Sequence, residues 1–143
     1  MVRIFSLILL IIFSNNAISS IQDQTLICDK DRRGYIFMTE NKVQALSINF
    51  DELNIISISH SYKLTENVIF IQQPLTELNK ENINKPIGWI FRRNLDYVSL
   101  DYVNGDWSRK FSWGCEVVSS NQLNKRLNSK LQKLINATKK SNF

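Results

Sequence analysis

The stretch Ile87–Cys115 reads IGWIFRRNLDYVSLDYVNGDWSRKFSWGC, and its period decides the fold class. Ile87, Trp89 and Phe91 alternate with Gly88, Ile90 and Arg92, and Tyr97, Ser99 and Asp101 alternate with Val98, Leu100 and Tyr102. A two-residue period places alternate side chains on opposite faces of a strand. Asn104-Gly105 then joins two such runs, and this dipeptide supplies the two left-handed residues of a tight hairpin. The last part, DWSRKFSWGC, reads as the returning strand. Strict alternation puts Trp107, Arg109, Phe111, Trp113 and Cys115 on one face, with Ser108, Lys110 and Ser112 on the other. Arg109 is the misfit on the aromatic face. Either it sits with Trp107 at a partly exposed rim, or it is buried against an acid, and the pair is the candidate binding feature of the strand.

Working backwards, the same pattern recurs. TLICDK (Thr25–Lys30) reads as a first strand, and Tyr35–Thr39 with Val43–Phe50 reads as a hairpin around Glu40, Asn41 and Lys42. LNIISISHSYKL and ENVIFIQQ add two strands rich in β-branched residues. PLTELNKENINKP, from Pro74 to Pro86, is bracketed by prolines and rich in Asn, and reads as a loop with room for one helical turn after Pro74. The expected fold is mainly β with some α: an antiparallel meander or incomplete small barrel, followed by one helix.

That helix is expected over about 120–140. Leu123, Leu127, Leu131, Leu134 and Ile135 recur as one apolar stripe, and Ser119 with Gln122 fits a capping box. Eleven Lys or Arg face twelve Asp or Glu between Ser20 and Cys115, whereas six face a single acid from Glu116 onward. The basic balance of the chain therefore belongs to the helix segment, and polyanion binding by the whole protein is not implied. Lys125, Arg126, Lys130 and Lys133 make the helix a candidate for an anionic membrane surface or a partner. The plainer expectation is that the leucines cover the sheet while the lysines face water.

MVRIFSLILLIIFSNNAISS opens the chain with one basic residue, a ten-residue apolar run from Ile4 to Phe13 and then small polar residues. This is the layout of a secretory signal peptide, with cleavage expected after Ser19, and the run is too short for a membrane-spanning helix. The remaining residues 20–143 are expected to form a single exported domain, periplasmic or secreted. Cys28 and Cys115, the two cysteines of the chain, are then expected to form a disulfide. A redox or metal role fits poorly, since neither cysteine has a near neighbour of its kind and His60 is the single histidine.

Catalytic motifs are sparse. Four glycines leave little material for a phosphate-binding loop, and no zinc or nucleophile-elbow signature is present. Asp51 and Glu52 are adjacent at a turn, so their side chains diverge. His60 between Ser59 and Ser61 allows an exported hydrolase, although a half-exposed strand histidine is the commoner situation. No cofactor and no nucleic-acid partner are expected. Asn136-Ala137-Thr138 is a formal glycosylation sequon, meaningful only in a eukaryotic secretory pathway.

The succession of leader, Leu26-Ile27-Cys28 in the first strand, the aromatic hairpin IGWIF and VSLDYVNGDW, and the closing Cys115 resembles small exported bacterial proteins. It is also similar in outline to periplasmic β-barrels of the lysozyme-inhibitor type. The resemblance implies a small β-barrel of the cell envelope. The serine, glycine and arginine-tyrosine inhibitory motif of those inhibitors is not seen in this sequence, so their activity is not carried over. The expected function is binding, to an envelope protein or a small ligand.

Overall fold

The computed structural model describes residues 21–141, except Glu40 and the side chain of Trp107. The expected signal peptide over 1–19 lies outside the described residues. Eight strands follow in order: β1 (Thr25–Cys28), β2 (Arg33–Phe37), β3 (Lys42–Asn49), β4 (Asn54–Leu64), β5 (Val68–Pro74), β6 (Gly88–Phe91), β7 (Asp96–Val103) and β8 (Asp106–Val117), then one helix, α1 (Ser120–Ser141). Each strand pairs antiparallel with the next, and β1 pairs with β8 through Leu26–Val117, Ile27–Glu116 and Cys28–Cys115. The meander therefore closes into a complete barrel rather than stopping short of one. Closure removes both sheet edges along the paired segments.

Local chemistry explains the joints. β1 ends at Cys28, two residues earlier than the sequence suggests, because Asp29, Lys30 and Asp31 all take positive φ (53°, 51° and 68°) and turn the chain away. Asn104 and Gly105 also have positive φ (53° and 86°), as the expected two-residue hairpin requires, and Val103 pairs with Asp106 across it. At the start of α1, the Gln122 amide donates to the Ser119 hydroxyl at 3.1 Å and the Ser119 amide to Gln122 Oε1 at 3.1 Å, completing the capping box. Cys28 and Cys115 are disulfide-bonded across the closing pair of strands.

The barrel interior is filled by Leu26, Cys28, Tyr35, Phe37, Val43, Tyr62, Ile69, Ile71, Ile90 and Tyr97. Ile21 plugs one end, held by the Asp23 amide donating to the Phe37 carbonyl at 2.9 Å. Outside, Leu123 and Leu127 of α1 pack on Ile27, Ile36, Leu46 and Ile55 of the β1–β4 wall. A Cβ on Gly34 would collide with Leu123, so the glycine lets the helix approach the wall. The opposite wall, on β5–β7, is covered by residues 75–87, which form turns and no helix.

The faces of β8 need one correction. Phe111 pairs with Ser99 and Arg109 with the adjacent Leu100, so Lys110 is an extra residue in a β-bulge. Strict alternation fails there. Trp113 and Cys115 pack on the barrel core as expected, but Arg109 does not share their face and Phe111 is 59% exposed. Arg109 is exposed on a β7–β8 arm that projects past the barrel, which resolves its position in favour of the rim.

Candidate functional site

The end of the barrel opposite Ile21 is open. A cavity of about 360 Å³ enters it, lined on the inner wall by Tyr35, Ala45, Ser47, Ile58, His60 and Tyr97, with Arg33, Gln73, Glu77 and Ile87 around the mouth. The register explains why these residues meet. Val43–His60, Ala45–Ile58 and Ser47–Ile56 are successive inward pairs of β3 and β4, and Tyr35 lies beside Ala45 on β2. Ile58 points inward by this alternation yet is 43% exposed, so the core stops before the strands do.

An aromatic stack forms the far wall. Tyr97 lies between Tyr35 and Trp113, with ring centroids 5.4 Å and 4.6 Å away, and the Arg33 guanidinium caps the Trp113 ring at 4.6 Å. A Cβ on Gly88 would strike the Tyr97 hydroxyl, so glycine makes room for this ring. Burial pushes the phenols of Tyr35 and Tyr97 up, so both are neutral over the ordinary pH range. Arg33 bonds to Asp29 at 3.4 Å. Stacked rings with a cation–π contact favour a rigid wall.

His60 is buried, and its Nδ1 lies 2.9 Å from the Gln72 carbonyl. A carbonyl can only accept, so Nδ1 carries the proton of the neutral ring. Burial lowers the His60 pKa against the opposing pull of the Gln72 and Gln73 backbone, and the ring is neutral near pH 7. The hydrolase arrangement considered for His60 finds no support in this geometry. Ser59 and Ser61 alternate with it and face away. Ser47 shares the cavity but sits two inward pairs further along the ladder from Val43, roughly 13 Å at about 3.3 Å per residue, well beyond proton-transfer reach.

The other residues singled out in the sequence do not converge on this cavity. Arg109 lies on the projecting arm and Trp107 lies on the same arm by its backbone. On α1, Leu123, Leu127 and Leu131 are buried against the barrel, Lys125 and Lys133 are exposed, and Lys130 is half-buried. Arg126 is tied to the barrel: its Nε and Nη2 donate to Asp31 at 3.1 Å and 2.6 Å, and Nη1 contacts Glu116. Among the described residues, no helix is long and apolar enough to cross a membrane.

Sequence reasoning passed over Tyr35, Ile58, Gln73 and Glu77. The available signal was the inward parity of Ile58 with His60 in ISISHSY, and only the ring of neighbouring strands shows that this parity leads to a mouth. Comparisons with protein-family profiles, curated proteins and solved structures found no match to this chain.

Proposed function

We propose that the protein is an exported binding domain that takes the apolar part of a small ligand into the open end of its barrel. The carrying observation is Ile58, an inward-facing aliphatic side chain 43% exposed beside the cavity of about 360 Å³. Apolar pockets of roughly 300–1,000 Å³ with a few convergent polar groups are the usual form of a small-molecule site, and eight-stranded barrels are wide enough to hold one such ligand. Here Arg33, His60, Gln73 and Glu77 provide polar groups around an apolar lining. A neutral His60 and two neutral phenols keep the interior wall uncharged, while one cation and one acid stand at the mouth. Export is supported by the leader-like opening of the chain and by the disulfide between Cys28 and Cys115, which suits an oxidising compartment.

Anilinonaphthalene sulfonate, whose fluorescence rises in apolar pockets, tests the reading. The folded protein is expected to enhance the dye, and Ile58→Trp, which fills the mouth, is expected to remove most of that enhancement without loss of unfolding cooperativity. Equal enhancement by the parent and the filled variant would sink the proposal.

A further inference from the structure

The outer wall of β5 and β6 carries a second cavity, of about 230 Å³, lined by Lys63, Phe70, Gln72, Asn84, Pro86 and Trp89. It does not belong to the mouth. Phe70 and Gln72 alternate with the inward Ile69 and Ile71, and Trp89 alternates with the inward Ile90, so all three point out of the barrel. Gln72 is nevertheless only 3% exposed, because residues 75–87 fold over it. Its Oε1 is buried and has no hydrogen-bond partner, and the same holds for Nε1 of Trp89. Leaving a buried donor and a buried acceptor unpaired costs free energy at each, and here the two side chains that carry them line one small space.

We infer that this space is a second ligand site, taking one ring of a neutral sugar. Trp89 Nε1 can only donate, so the ligand must accept; Gln72 Oε1 can only accept, so the ligand must donate. A hydroxyl does both. A carboxylate does not, because it has no proton for Gln72. The Phe70 and Trp89 rings, edge to face at 6.1 Å, and Pro86 add flat apolar surface suited to the C–H face of a ring. Lys63 donates to Asn84 Oδ1 at 3.2 Å across the rim, fixing the strand to the covering loop and placing further polar groups where hydroxyls would emerge. The volume is below the usual range for drug-sized ligands, which limits the occupant to one ring.

The indole N–H proton of Trp89 in the nuclear magnetic resonance spectrum is the direct reporter, assigned by its loss in Trp89→Phe. Glucose, galactose, mannose and N-acetylglucosamine are added separately, with acetate as the anionic control. At least one sugar is expected to shift the Trp89 signal saturably, and acetate to leave it in place. Gln72→Leu is expected to weaken that sugar by roughly fivefold to tenfold, the worth of one hydrogen bond. Ile58→Trp is expected to leave it unchanged, which keeps this site separate from the mouth. If no sugar moves the Trp89 proton up to tens of millimolar, the space holds ordered water alone and the inference is overturned. Equal affinity in Gln72→Leu and the parent overturns it as well.

Discussion

Two stretches of the barrel's outer wall are covered in different ways. Over β1–β4, α1 lays Leu123 and Leu127 onto Ile27, Ile36, Leu46 and Ile55, and none of the buried, unpaired side-chain atoms among the described residues falls in this cluster. Over β5–β7, residues 75–87 cover Gln72 and Trp89 and leave a cavity between them. The cause lies in how each cover satisfies itself. A helix pairs its own backbone, so its side chains are free to form an apolar stripe of 3.6-residue period. The loop must pair its backbone with side chains: Asn79 Oδ1 accepts from the amides of Glu81 and Asn82, Asn82 Oδ1 accepts from Asn79, and Asn82 Nδ2 donates to the Glu77 carbonyl. Asn79 and Asn82 are used on the loop itself, Asn84 reaches back to Lys63, and a cavity is left against the wall.

The largest expected effect breaks the tight side of this comparison. Leu123 is fully buried, and Leu123→Ala is expected to destabilise by about 2–5 kcal/mol in urea unfolding. Gly34→Ala brings a methyl against the Leu123 side chain and is expected to cost about 1–3 kcal/mol. Because the second change fills space that the first vacates, the double variant is expected to be more stable than the sum of the two losses. Strict additivity would mean that the helix does not bear on the wall through this contact.

The loose side responds in the opposite sense. Gln72→Leu replaces a buried, unpaired amide oxygen by a methyl group of similar position, and is expected to raise stability by about 1 kcal/mol while weakening sugar binding. A loss of stability larger than that in the same urea titration would show that Gln72 is fully paired in solution, and the contrast between the two walls would disappear.

What was legible in the sequence is what depends on a few neighbouring residues. Asn104-Gly105, the Ser119–Gln122 box and the leucine stripe each carry their own chemistry, and the two cysteines needed only the expected compartment. The expected Cys28–Cys115 bridge already pointed from the first strand to the last, but whether the ring closes completely was not legible, because the β1–β8 ladder joins segments some ninety residues apart. The bulge at Lys110 was hidden for a related reason: one extra residue inverts the alternation without any change in composition, and Arg109 then looked misplaced on an aromatic face. Gln72 lies near the end of the strand segment ENVIFIQQ, where nothing in the sequence marks it. Its burial comes from the loop, and the openness around Ile58 comes from which strands stop short, so both sites are properties of the closed ring.

His60 connects the two sides of the barrel wall, and its titration gives the smallest of the expected effects. Its ring lines the inner mouth, while its Nδ1–H holds the Gln72 carbonyl at the irregularity between β4 and β5 where Gln72 turns outward. Burial depresses the folded-state pKa below the unfolded value of about 6.5. Between the two values the unfolded chain binds more protons than the folded one, so stability rises with pH through that window. The contribution is complete above the unfolded pKa and is lost as pH falls toward the folded one. His60→Gln, which cannot titrate, is expected to flatten the urea-unfolding profile just below the unfolded pKa relative to the parent. The carbonyl of Gln72 is then held by an amide or not at all, and the Trp89 indole signal reads which. A shift of that signal in His60→Gln at constant pH would show that the mouth and the outer cavity are coupled through the Gln72 backbone; an unmoved signal with a flattened profile would show two walls that share a residue and act separately.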